Sequence, residues 1–209
     1  MSNASDDIKK YTKEIQANPK DAAIYNSRCV AKVKLGDYLG AIQDYNESLK
    51  LNPDHHITYL NRASAYRQLK NYENEIKDYT KALQIKPADA LALNNRGLAY
   101  RKLGDYEKAV EDYTKVIELN PELPQSYYNR GHIYKLMKKY AESKKDFLEV
   151  ARINPNFSDV QSRLKDLKFA SVKDAFGKIA SVLTFSGKKK GQPFGKPIIS
   201  LLLFLLERI

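Results

Sequence analysis

The stretch LGDYEKAVEDYTKVIELNP, residues 103–121, has three counterparts elsewhere in the chain. They read LGDYLGAIQDYNESLKLNP at 35–53, LKNYENEIKDYTKALQIKP at 69–87 and MKKYAESKKDFLEVARINP at 137–155, each copy 34 residues from the next. The closing residues Pro53, Pro87, Pro121 and Pro155 hold that interval, and Pro19 extends it one step towards the N-terminus. A fixed period of this length, kept without insertion, marks a stack of like supersecondary units rather than one conventional core. Function then has to be sought on the surface of that stack.

Residues 90–123 show what one unit is. ALALNNRGLAYRKLG places Leu93, Gly97, Tyr100 and Leu103 on one stripe at helical spacing. Gly104 and Asp105 break that helix, and Asp105 is placed to cap the next. In YEKAVEDYTKVIELN the apolar face is Tyr106, Ala109, Val110, Tyr113, Val116 and Ile117. Asn120-Pro121 ends the second helix, because the residue before a proline is driven out of helical geometry. The unit is a helical hairpin whose two apolar faces need neighbouring copies to cover them. Small residues (Cys29, Ala63, Gly97 and Gly131) recur where two helices must approach closely, which makes Cys29 a packing residue rather than a reactive thiol.

Composition narrows the class further. A single cysteine cannot close an internal disulfide, which fits a reducing compartment and a cytoplasmic location. The opening MSNASDDIKK has no apolar run, so no secretory leader is expected. The net charge of +11 is uneven: residues 124–157 contribute +4 and 158–209 contribute +6. Such a basic end can meet an acidic protein, an anionic membrane or a nucleic acid, or act only as a solubilised tail. Nucleic acid is not expected, because the basic residues of the repeats are scattered and the aromatics belong to the core. His55, His56 and His132 stand in no metal-ligand spacing, and no phosphate loop or catalytic constellation occurs. Neither an enzyme nor a bound cofactor or metal is expected.

On these residues the chain resembles the tetratricopeptide repeat (TPR) family. That pattern has a large residue at position 4, here Tyr25, Tyr59, Leu93 and Tyr127. Its small position 8 holds the small residues named above. Its aromatic position 24 holds Tyr45, Tyr79, Tyr113 and Phe147, and its position 32 holds the prolines from Pro53 to Pro155. The resemblance implies an all-α, right-handed solenoid of four helical hairpins, at 22–55, 56–89, 90–123 and 124–157. Residues 1–21 would be a half-repeat cap, with Tyr11 at the place of the position-24 aromatics. Phe157, Val160, Leu164 and Leu167 would face inward on a closing helix within 156–186. Lys32 at an aromatic position, and Glu75 and Ser143 where the family has Ala, are departures expected to loosen the packing.

One periodic feature departs from the family pattern everywhere. Position 7, commonly Leu, is Arg28, Arg62, Arg96 and Arg130, and sixteen residues later stand Asp44, Asp78, Asp112 and Asp146. One Arg–Asp pair inside each hairpin is the expected arrangement, since an unpaired charge between helices is costly. Four arginines lining a groove for an acidic peptide is the competing one.

The resemblance also implies a concave groove lined by the first helices. Carried across, its residues are Asn26, Val30, Leu60, Ser64, Arg67, Asn94, Leu98, Arg101, Tyr128, His132 and Lys135. The expected function is a non-catalytic scaffold or adaptor holding a protein or peptide segment there, one that carries acidic residues. The family's chaperone co-factors clamp a C-terminal carboxylate with lysines and asparagines, and here only Asn61, Asn95 and Asn129 of that set are present. That clamp is therefore not expected. The alternative function rests on residues 187–209, a basic link followed by IISLLLFLLERI. At nine residues, the apolar run 198–206 is too short to span a bilayer, which takes about 20. A membrane-peripheral adaptor would use it, with Lys188–Lys190, to touch lipid. The preceding stripe of Val172, Phe176, Ile179 and Leu183 reads as an amphipathic helix.

Overall fold

A computed structural model describes residues 3–187, with side chains given along the last helix for residues 160–172 and 174. The regular elements of the described residues are all helices, with no strand among them. They fall into two compact units that divide between Pro121 and Glu122. The first holds α1 (Ala4–Ala17), α2 (Ala22–Lys34), α3 (Tyr38–Leu51), α4 (His56–Gln68), α5 (Tyr72–Ile85), α6 (Ala90–Leu103) and α7 (Tyr106–Leu119). Each helix of this unit packs on the next in sequence, so α1 caps three stacked hairpins. The second unit holds α8 (Pro124–Leu136), α9 (Tyr140–Ile153) and α10 (Val160–Gly187); α9 packs against both of its partners. No helix among the described residues is long and apolar enough to cross a membrane.

The hairpin turns show why the helices end where they do. Gly36, Lys70, Gly104 and Lys138 all take left-handed backbone, with φ of 78°, 55°, 81° and 59°. At each turn the next residue's N–H reaches back five positions: Asp37 to Lys32 O, Asn71 to Tyr66 O, Asp105 to Tyr100 O and Lys139 to Tyr134 O. These are the bonds that close a Schellman turn and satisfy carbonyls left open at a helix end. The following helices are capped by Asp37, Asn71 and Asp105, whose side chains accept from Gly40, Asn74 and Lys108 N–H.

Inside each hairpin a small residue on the first helix receives the aromatic of the second. A Cβ on Gly97 would stand 3.1 Å from the ring of Tyr113, and one on Gly131 would stand 3.1 Å from Asp146 Cβ. Cys29 does the same work in the first hairpin: it is fully buried, and its thiol donates to Ala41 O at 3.3 Å. Burial pushes that thiol well above its ordinary pKa, so it stays a protonated packing group.

The three departures from the family pattern do not loosen the packing. Lys32 folds over Asp44 at 2.9 Å and donates to Gly40 O. Glu75 is buried and accepts from Arg67, while Ser143 is buried and donates to Gly131 O at 2.7 Å. A polar side chain at these places is tolerated because each finds a partner across the hairpin. Leu103, expected on the inward stripe, is instead 43% exposed, since its helix ends there.

Past the last hairpin a single helix of 28 residues runs from Val160 to Gly187. Its stripe of Val160, Leu164 and Leu167, with Phe157 ahead of it, packs in one cluster with Phe147, Val150, Tyr127, Tyr128 and Tyr140. The side chains of Phe176, Ile179 and Leu183 and all of residues 188–209, the basic link and apolar run included, lie outside the described set.

Candidate functional site

The arginine–aspartate geometry decides which charges are left for a ligand. Nε and one terminal nitrogen of Arg28, Arg62, Arg96 and Arg130 each donate to the two carboxylate oxygens of Asp44, Asp78, Asp112 and Asp146, at 2.6–2.9 Å. Side-chain exposure is 15–17% for the arginines and 2–5% for the aspartates. An aromatic ring of the same repeat lies about the guanidinium in every case, as Tyr59 does at 5.5 Å from Arg62. In the first unit a third bond joins each arginine to the helix before: Arg28 to Thr12, Arg62 to Asn46 and Arg96 to Thr80. These arginines are held inside the stack, and the acidic-groove arrangement for them is set aside.

The remaining polar residues assigned from sequence to the groove sit on the first helices of the hairpins. Asn26 on α2 accepts from the Thr58 hydroxyl of α4 at 3.1 Å, and Thr58 lies 2.6 Å from His55 Nδ1. Val30, also on α2, is 47% exposed. Leu60 on α4 and Asn94 and Leu98 on α6 are half-buried, and Ser64 on α4 is exposed.

Arg67 and Arg101 occupy the same repeat position but different surroundings. Arg67 donates through Nε to Glu75 at 2.6 Å and through a terminal nitrogen to the Tyr79 hydroxyl at 2.7 Å. Burial raises the Glu75 carboxyl, against the lowering effect of Arg67. Arg101 has Ala109 where Arg67 has Glu75, and its buried Nε has no hydrogen-bond partner. The Tyr113 hydroxyl, matching Tyr79, is buried without a partner too. Burial drives this phenol's pKa upward, and the charge of Arg101 pulls the other way.

In the second unit, Tyr128, His132 and Lys135 lie on α8. Tyr128 packs against Phe147 and Phe157 with ring centroids 5.6 and 5.1 Å away, and its hydroxyl accepts from Arg163 of α10 at 3.3 Å. Lys135 lies 3.4 Å from Asp166 of α10. His132 Nδ1 is buried without a partner. Two of these three residues thus already meet the closing helix. The sequence reading missed this engagement and the Arg67–Glu75–Tyr79 chain. The eight-residue spacing of Arg67 and Glu75 was the available signal.

Residues 22–55, 90–123 and 124–157 match family models described as tetratricopeptide repeat, and residues 63–104 match one described as TPR repeat. No curated protein sequence matches the chain. Among solved structures, MamA is 22% identical, covering 71% of this chain and 86% of that one at a TM-score of 0.67. MamA 41-end from Desulfovibrio magneticus RS-1 is 21% identical, with coverage of 74% and 88% and a TM-score of 0.68. The first TPR of Spaghetti (RPAP3), solved bound to the HSP90 peptide SRMEEVD, is 25% identical, with coverage of 55% and 91% and a TM-score of 0.52.

Proposed function

Because the chain belongs to the tetratricopeptide repeat family, whose members are generally non-catalytic interaction scaffolds, we propose that it holds a peptide segment against the face built by α2, α4 and α6. One observation carries this reading. The four position-7 arginines are fully engaged within the hairpins, while Val30, Leu60, Leu98 and Ser64 keep exposed surface on successive first helices. Apolar side chains beside hydroxyl and amide groups suit an extended or helical segment, with pockets for side chains and polar groups for its backbone. The peptide-bound relative supports the mode of binding, and its acidic ligand supports the charge.

The test starts from peptides selected on the full chain from a random 12-residue phage library, their affinities then measured by isothermal calorimetry. Leu60→Ala and Leu98→Ala should each weaken binding by about tenfold, the effect of truncating an apolar anchor worth 1–2 kcal/mol. Leu39→Ala, on the second helix of the first hairpin and 67% exposed, should leave affinity unchanged. The opposite pattern overturns the assignment of the face.

A further inference from the structure

The second and third hairpins are built to the same plan at Arg67 and Arg101, but only the second contains its own carboxylate. In the second hairpin Glu75 accepts from Arg67 Nε, and Arg67 in turn donates to Tyr79. The third hairpin keeps the arginine and the tyrosine and replaces the acid by Ala109. Its half-buried guanidinium makes no hydrogen bond or ion pair among the described residues, and the buried Tyr113 hydroxyl beside it is unpartnered. A partly desolvated cation without a counter-charge is unfavourable. The C-terminal end of α6, where Arg101 sits, favours its charge but supplies no acceptor to Nε.

We propose that Arg101 is a subsite for a carboxylate side chain, Glu or Asp, of a peptide lying on the α2–α4–α6 face. The ligand's carboxylate takes in the third hairpin the place of counter-charge that Glu75 takes in the second, accepting charge-assisted bonds from the guanidinium fork. The site differs from a terminal-carboxylate clamp, since it uses an arginine near the end of the helix and accepts an internal acidic residue. It rests on the proposed peptide-binding face and adds to it one fixed point of charge recognition.

The probes are blocked decapeptide pools, N-acetylated and C-amidated so that no terminal charge remains. One set carries a single Glu walked through the ten positions of a Leu/Ser/Asn-randomised sequence, and the matching set carries Gln. Retention on the immobilised full chain is read by mass spectrometry. The expected result is about tenfold enrichment of Glu over Gln at one position, a difference of about 1.4 kcal/mol, weakening with added salt. Arg101→Gln should bring the two sets to equality. Ala109→Glu, which supplies an internal carboxylate, should do the same; circular dichroism checks that both variants fold, and Arg101→Gln suffices if the buried Ala109 site rejects the larger side chain. Equal retention of Glu and Gln pools by the wild-type chain overturns the subsite, as does a Glu preference that survives Arg101→Gln. If pools are retained equally and Leu98→Ala releases both, the face stands and the subsite alone falls. If no pool is retained, both fall.

Discussion

Arg96 and Asp112 illustrate how single residues set the repeat. Two parallel bonds of 2.9 and 2.7 Å fix the heights of α6 and α7 against each other, and the third bond to Thr80 ties them to α5. Such a pair adds modest net stability, since both ions lose water on folding, but breaking it leaves one buried charge alone. Arg96→Ala or Asp112→Ala should therefore cost about 3 kcal/mol, measured by urea denaturation followed by circular dichroism. The double replacement Arg96→Met with Asp112→Leu should recover most of that loss. A single substitution costing under about 0.5 kcal/mol would show that the pair behaves as an exposed one. The two tyrosines give a sharper contrast. Tyr79→Phe removes the bond from Arg67 and should cost about 1 kcal/mol. Tyr113→Phe removes a buried hydroxyl that has no partner, so the free protein should lose no stability.

At the scale of the helix and turn, the left-handed position in each hairpin is shared, but its residue is not. Gly36 and Gly104 adopt it without penalty, whereas Lys70 and Lys138 carry a side chain there. Left-handed backbone costs a side-chain-bearing residue about 1–2 kcal/mol, partly offset by the extra freedom glycine has when unfolded. Lys70→Gly and Lys138→Gly should each gain about 0.5 kcal/mol, and Gly104→Ala should lose about 1 kcal/mol, on the same denaturation assay. The closing helix offers a second check. Leu167→Ala removes a buried contact between α10 and the Phe147–Val150 cluster, at a cost of about 2–3 kcal/mol. Hydrogen exchange should then show loss of protection in α10 with α8 and α9 still protected; loss in all three helices together would mean that α10 is integral to the unit.

These elements were legible from the sequence because each hairpin states its signals four times over. The prolines, the small position 8 and the Arg–Asp spacing each recur at the same interval, so accident at one copy cannot mislead. What the sequence hid are relations between two positions that vary from copy to copy. Glu75 looked like a packing defect because its partner, Arg67, lies on the facing helix and was read as a groove residue. Arg67 and Arg101 looked equivalent, yet one meets Glu75 and the other has Ala109 at the matching repeat position. Nor did the amino acids at 168–172, KFASV, announce that α10 would continue unbroken, although they contain no proline or glycine to stop it.

Across the first unit the contacts run from one hairpin to the next, while in the second the single hairpin packs on α10 through α9. The proposed ligand-binding face is the one built by α2, α4 and α6. Methyl-selective NMR on the 209-residue chain, titrated with a phage-selected peptide, tests it most directly. The methyl signals of Val30, Leu60 and Leu98 should shift together with a common affinity. Shifts confined to Leu39 and Leu119 on the second helices, with Leu60 and Leu98 unmoved, would contradict it.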